Sequence, residues 1–186
     1  MKKSEVQIVW FKRDLRITVH KPIYEASKNS IPVLMLYVVE TDYWSEPFAN
    51  RRHWCFIYDS LVELSKDLNT INQKLIIKIG SVIKIFKDLS KKYKINYVFA
   101  HEETGNDWTF KRDIKVRNWF ANSKINYKEF PSNGVVRCLK DRDEWSKIRN
   151  LRMKENIIPT PNNIIPFKAL NGRPIPSKTD NIFINN

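Results

Sequence analysis

Side-chain catalysis needs nucleophiles, bases or metal ligands at workable spacings, and in these 186 residues they are sparse. The histidines are His20, His53 and His101, and the cysteines are Cys55 and Cys138. No CxxC, no Cys/His zinc spacing, no HExxH and no GxSxG occurs, so the zinc and acyl-transfer chemistries those patterns serve have no footing. His101 is followed by Glu102 and Glu103; one imidazole beside two acids reads as a satisfied polar cluster rather than a metal site. The four glycines stand at 80, 105, 134 and 172. That scatter excludes GxGxxG and the P-loop pattern, and with them nucleotide binding through a glycine-rich turn.

What remains is a concentration of charge. Ile8-Val9-Trp10-Phe11 runs directly into Lys12-Arg13-Asp14-Leu15-Arg16. This suits a loop turning over a sheet edge, with Leu15 tucked back and Arg13, Asp14 and Arg16 tied into a charge network. The competing use of those cations is contact with an anionic ligand or DNA.

The elements that must position these residues are legible as alternating patterns. Apolar runs of strand length lie at Val6–Phe11, Ile31–Glu40, Leu75–Ile79 and Asn96–His101, with a weaker fifth at Ile125–Phe130. Their continuous rather than alternating apolarity predicts strands buried on both faces of a parallel sheet. Between them, residues 51–69 place Trp54, Ile57, Tyr58, Leu61, Leu64 and Leu68 on one helical face. Ser81 is a candidate N-cap for a helix carrying Val82, Phe86, Leu89 and Tyr93, and a further helix is expected over 107–123. A last helix is expected from Asp141, with Glu144 as capping-box partner and Trp145, Ile148 and Leu151 inward. The alternation predicts an α/β fold, a doubly wound sheet that binds ligands beyond the carboxyl ends of its strands. Attention therefore falls on 12–20, 40–52, 80–81, 101–108 and 131–140.

Composition sets the frame. With 42% hydrophobic and 12% aromatic residues the chain can bury an ordered core. No apolar run reaches the length of a membrane span, and no secretory signal is recognisable behind Met1-Lys2-Lys3. The two cysteines allow one disulfide, but a reduced, cytoplasmic protein without membrane contact is the reading favoured. A net charge of +13 fits polyanion binding, or equally a lysine-rich solvated surface. Residues 157–186 crowd Pro159, Pro161, Pro166, Pro174 and Pro176 among asparagines. They read as a linker or extended tail after a domain spanning residues 1–156.

The opening nonapeptide resembles the start of the DNA photolyase/cryptochrome family, whose first strand ends in a W-F-(K/R)-x-D-L-R pattern. The likeness continues through His20-Lys21-Pro22-Ile23 with Ala26, although Val19 replaces the family's capping Asp. It extends to Arg52…Phe56…Asp59-Ser60-Leu61…Leu64, to His101–Asn106 with Arg112-Asp113, and to Val135-Val136-Arg137 with Asp141-Arg142-Asp143 and Trp145. One such motif is weak; five in order over residues 6 to about 150 are specific.

The resemblance implies a Rossmann-like three-layer sandwich around a five-stranded parallel sheet that holds an accessory antenna chromophore, a folate, deazaflavin or flavin. It implies as partner a C-terminal helical domain, in cis or separately encoded. That domain binds FAD, receives damaged DNA and drives pyrimidine-dimer repair by light-driven electron transfer. It is expected to lie outside these 186 residues, leaving the chain catalytically inactive alone. An Asn-Glu pair that helps hold folate in some members is Trp108-Thr109 here, so a flavin, a deazaflavin or an empty site becomes as good a reading. From position at the ends of the first, second and fourth strands, the expected chromophore residues are Arg13 for negative groups and Tyr37 and Phe48 for a flat ring. Arg52, Glu102, Glu103 and Asn106 are expected at its polar edges. Competing readings are a stand-alone basic module binding nucleic acid or a nucleotide, and a nucleotide-binding enzyme of the wider superfamily, which the scarcity of glycine argues against.

Overall fold

The computed structural model describes residues 3–180. Its elements alternate: β1 (Glu5–Phe11), α1 (Lys21–Ser27), β2 (Val33–Val39), α2 (Thr41–Trp44), α3 (Arg51–Thr70), β3 (Leu75–Ile79), α4 (Val82–Lys92), β4 (Lys94–His101), α5 (Asp107–Asn122), β5 (Asn126–Phe130) and α6 (Trp145–Met153). The five strands form one parallel sheet in the order β3-β2-β1-β4-β5. The chain thus lays β2 and β3 on one side of β1 and returns to lay β4 and β5 on the other. The order reverses between β1 and β4, and their carboxyl ends flank the crevice where such sheets take ligands.

Alternation along each strand divides the core in two. On one face Val9, Phe11, Met35, Tyr37 and Ile77 pack against Ile23 of α1 and against Trp54, Leu61, Leu64 and Leu68 of α3. On the other, Ile8, Trp10, Leu34, Leu36 and Ile76 meet Val82, Phe86 and Leu89 of α4 and Val116 and Phe120 of α5. Every residue of β2 is buried, as continuous apolarity requires of a strand covered on both sides. This is the three-layer α/β sandwich that the pattern predicted. The edge strand β5 is half exposed, which accounts for its weak apolar signature.

Several local expectations need correction. Ser81 precedes α4 as its N-cap residue but makes no side-chain capping bond. At the other end, α6 begins at Trp145, not Asp141, and Glu144 caps nothing through its side chain. Asp141 turns its carboxylate to the Asp143 amide instead. No residue of α6 is buried; Leu151 is 64% exposed and Trp145 43%, because no described element lies over that face.

Residues 157–180 contain no helix, yet they dock on the body. Val33 and Pro166 form a parallel bridge, as Ile77 and Arg173 form an antiparallel one. The Val33 amide donates to the Ile165 carbonyl and the Phe167 amide to the Val33 carbonyl. At Gly172 the chain passes so close to β3 that a Cβ would stand 2.8 Å from the Ile77 nitrogen. Trp54 Nε1 donates to the Ser177 carbonyl at 3.0 Å, fastening this strap to α3.

Candidate functional site

The loop leaving β1 turns its charges in separate directions rather than into the mutual network expected of Arg13, Asp14 and Arg16. Lys12 is buried, 3.1 Å from both Asp113 and Glu129, with its ammonium 4.9 Å from the Trp10 ring centroid. Arg13 Nε donates to Glu103 at 2.6 Å and Nη2 to the Tyr43 hydroxyl at 2.9 Å. The second Glu103 oxygen takes Arg112, which also bonds Glu40. Among the described residues, Arg16 reaches only the Thr18 carbonyl, through Nε.

Asp14 turns inward. Its Oδ2 lies 2.6 Å from His20 Nε2 and from His101 Nδ1, and its Oδ1 accepts the Lys12 amide. Burial works against this charge, yet the two imidazole donors hold Asp14 well below the usual carboxylate range. Val19, left-handed at φ 49, starts α1 with His20 as N-cap; His20 Nδ1 accepts the Ile23 amide. His20 therefore supplies the cap that the replacement of Asp by Val19 removes. The partner of His101 proves to be Asp14, not the adjacent Glu102 or Glu103. Asp14, His20 and His101 bring three ligand-type atoms within 4.8 Å. With His20 Nδ1 accepting an amide, its Nε2 in the neutral ring carries a hydrogen toward Asp14. That hydrogen occupies the place a metal would need, so Asp14 holds both imidazoles by hydrogen bonds.

Above the carboxyl ends of β1 and β2 opens a cleft of about 700 Å3. Arg13, Phe48, Arg52 and Asn106, all expected from the sequence, line it together. Phe48 and Phe56 are 42% and 75% exposed. Tyr43, carried by the short α2, lies 5.2 Å from the Phe48 ring and 5.3 Å from Trp108. Arg16, Arg52 and His53 add cationic or polar edge, and no acid lines the cleft among the described residues. Asn106 caps α5 by accepting the Thr109 amide.

The other expected residues go elsewhere. Tyr37 is buried behind a space of only about 50 Å3, and burial pushes its hydroxyl well up. Glu103 is committed to the two arginines. Glu102 faces Arg137, at 3.4 Å, on the β5 side. Sequence reasoning did not select Tyr43 or Phe56 as site residues, and weighed Arg16 only as one of the loop cations open to an anionic ligand. The signal for Tyr43 was its place, in the aromatic-rich segment straight after β2.

Comparison with known proteins follows from this geometry. The family described as DNA photolyase matches residues 7–144. Cryptochrome DASH of Arabidopsis thaliana is 30% identical over 109 residues, 55% of this chain and 19% of that protein. A class III photolyase from Agrobacterium tumefaciens superposes with a TM-score of 0.76 at 17% identity, over 94% of this chain and 38% of that one. An archaeal photolyase from Sulfolobus tokodaii, described with two FAD molecules and a novel light-harvesting cofactor, gives 0.67 at 19% identity over 86% and 38%. The chain spans about a fifth of the curated relative and under two fifths of either solved structure. No helix among the described residues is long and apolar enough to cross a membrane. With its family match spanning most of the chain and its sheet superposing on photolyase structures, the chain belongs to the DNA photolyase family, as an N-terminal α/β domain.

Proposed function

We propose that this domain holds a flavin- or deazaflavin-type antenna chromophore in the 700 Å3 cleft. It would serve a protein whose FAD-binding helical domain, in cis or separately encoded, repairs pyrimidine dimers in damaged DNA by light-driven electron transfer. The observation that carries the reading is the cleft itself. Exposed Phe48 and Phe56 offer faces for a fused ring, while Arg13, Arg16 and Arg52 edge it and, among the described residues, no acid lines it; Arg13 alone of the three is paired, with Glu103 behind the cleft. Its size falls within the range of cofactor clefts. A folate is less well served, because Thr109 is buried and spent on Asn106 through both amide and hydroxyl. When bound, the chromophore supplies absorption of near-ultraviolet and blue light. The residues here bind and orient it.

Titration with flavin mononucleotide, followed by quenching of flavin fluorescence, tests the reading. Binding is expected to weaken about tenfold in Phe48→Ala and in Arg52→Gln, the scale of one lost stacking or charged contact. Flavin and deazaflavin that fail to bind, or bind both variants unchanged, would overturn it.

A further inference from the structure

A second cleft, of about 520 Å3, lies between the β1–α1 loop, the end of β5 and residues 152–158. It shares only Arg16 with the aromatic cleft. His101 lines it, although the side chain is only 4% exposed. Because Asp14 is an ionised carboxylate that can only accept, the hydrogen of the 2.6 Å contact sits on His101 Nδ1; in the neutral ring Nε2 is then the acceptor. No group among the described residues bonds to Nε2. One face of the ring is covered by His20, at 4.5 Å, and the edge left toward the cleft carries Nε2.

Cations line the same cleft. Arg16 and Arg152 have no carboxylate partner among the described residues; each is steadied by backbone carbonyls, Thr18 for one and Asn133 and Val135 for the other. Lys21 completes the set, shared with Glu25 at 3.1 Å. Glu155 is the one acid lining the cleft, and Met153 supplies apolar wall. An acceptor opening on a cleft lined by donors is complementary to an anion that still has a hydrogen to give. Phosphate near neutral pH has one; sulfate does not.

We propose that this cleft binds a phosphate group retaining an acidic hydrogen, which it donates to His101 Nε2, while Arg16, Lys21 and Arg152 donate to the remaining oxygens. The group is either inorganic phosphate or a singly protonated monoester, and the site does not rest on the chromophore reading, sharing only Arg16 with that cleft.

The test uses the full chain labelled with 15N in its histidines, titrated separately with inorganic phosphate, phenyl phosphate and sulfate. Phosphate is expected to move the His101 Nε2 resonance in a saturable way, with sulfate at least about tenfold weaker, as befits one lost hydrogen bond to a charged partner. Tighter binding of phenyl phosphate would assign the group to an ester on an apolar body; tighter inorganic phosphate, to the free ion. Lys21→Gln and Arg152→Gln lie outside the Asp14 cluster, and each is expected to weaken binding about tenfold. A resonance that does not move, equal binding of sulfate, or unchanged affinity in both variants would overturn the site.

Discussion

Arg112 divides one guanidinium among three carboxylates, those of Glu40, Glu103 and Asp113. So divided, it does not compensate the desolvation of Glu40, whose carboxyl is pushed up by burial to about 7. Between about 4.5 and 7 the folded protein holds a proton that the unfolded chain releases. The stability this proton confers is complete below the unfolded value and is lost as pH rises through 7. Urea unfolding should therefore show wild-type stability falling by roughly 1–3 kcal/mol from pH 5 to 8 on this account. Glu40→Gln should flatten that decline; an unchanged slope would disprove the assignment. At this scale the sequence was half readable. Arg13 and Asn106 could be placed because each stands just past a strand, where ligand clefts form. The opposite fates of Glu102 and Glu103 could not, since neighbouring side chains at a strand end diverge and composition says nothing of which turns to Arg13.

Elements that pack by periodicity were the most legible. Leu61, Leu64 and Leu68 announce the buried stripe of α3, and the unbroken apolar run of β2 announces its central place. Residues 157–180 gave no such signal, because backbone bonds to a sheet edge leave no repeating apolar pattern, and proline and asparagine look alike in linker and strap. The apolar stripe of α6 misled for the converse reason: periodicity marks a face able to pack, not what covers it. Gly172 is where the strap is most exacting, its missing Cβ facing the backbone of Ile76 and Ile77. Gly172→Ala should lift the strap and break the Trp54–Ser177 bond, at a cost of about 1–3 kcal/mol. Limited proteolysis should then cut within 160–178 well before the body, with a shift in Trp54 fluorescence. Resistance equal to wild type would show that the contact tolerates the extra methyl.

Across the whole molecule, charge is distributed unevenly. The interior network sets Glu40, Glu103, Asp113 and Glu129 against Lys12, Arg112 and Arg137, and Asp14 is buried beside two imidazoles, so the outer surface carries more than the formal +13. The intact chain should bind duplex DNA of any sequence weakly. That affinity should drop at least about tenfold between about 50 and 200 mM salt, measurable by fluorescence anisotropy. Salt-independent binding would mean a specific contact instead. The order of the five strands, by contrast, follows from short right-handed crossovers acting on an alternating pattern, which is why the architecture could be anticipated while its charge map could not.

The bridge between Ile77 and Arg173 has one more effect. β3 ends the sheet on its side, and a terminal strand with idle amides and carbonyls is a template on which foreign polypeptides can add. By running its own residues past that rim, the protein occupies part of the template itself. The same proline-rich stretch that looks like mere connection therefore leaves fewer open backbone groups on β3 for strand addition.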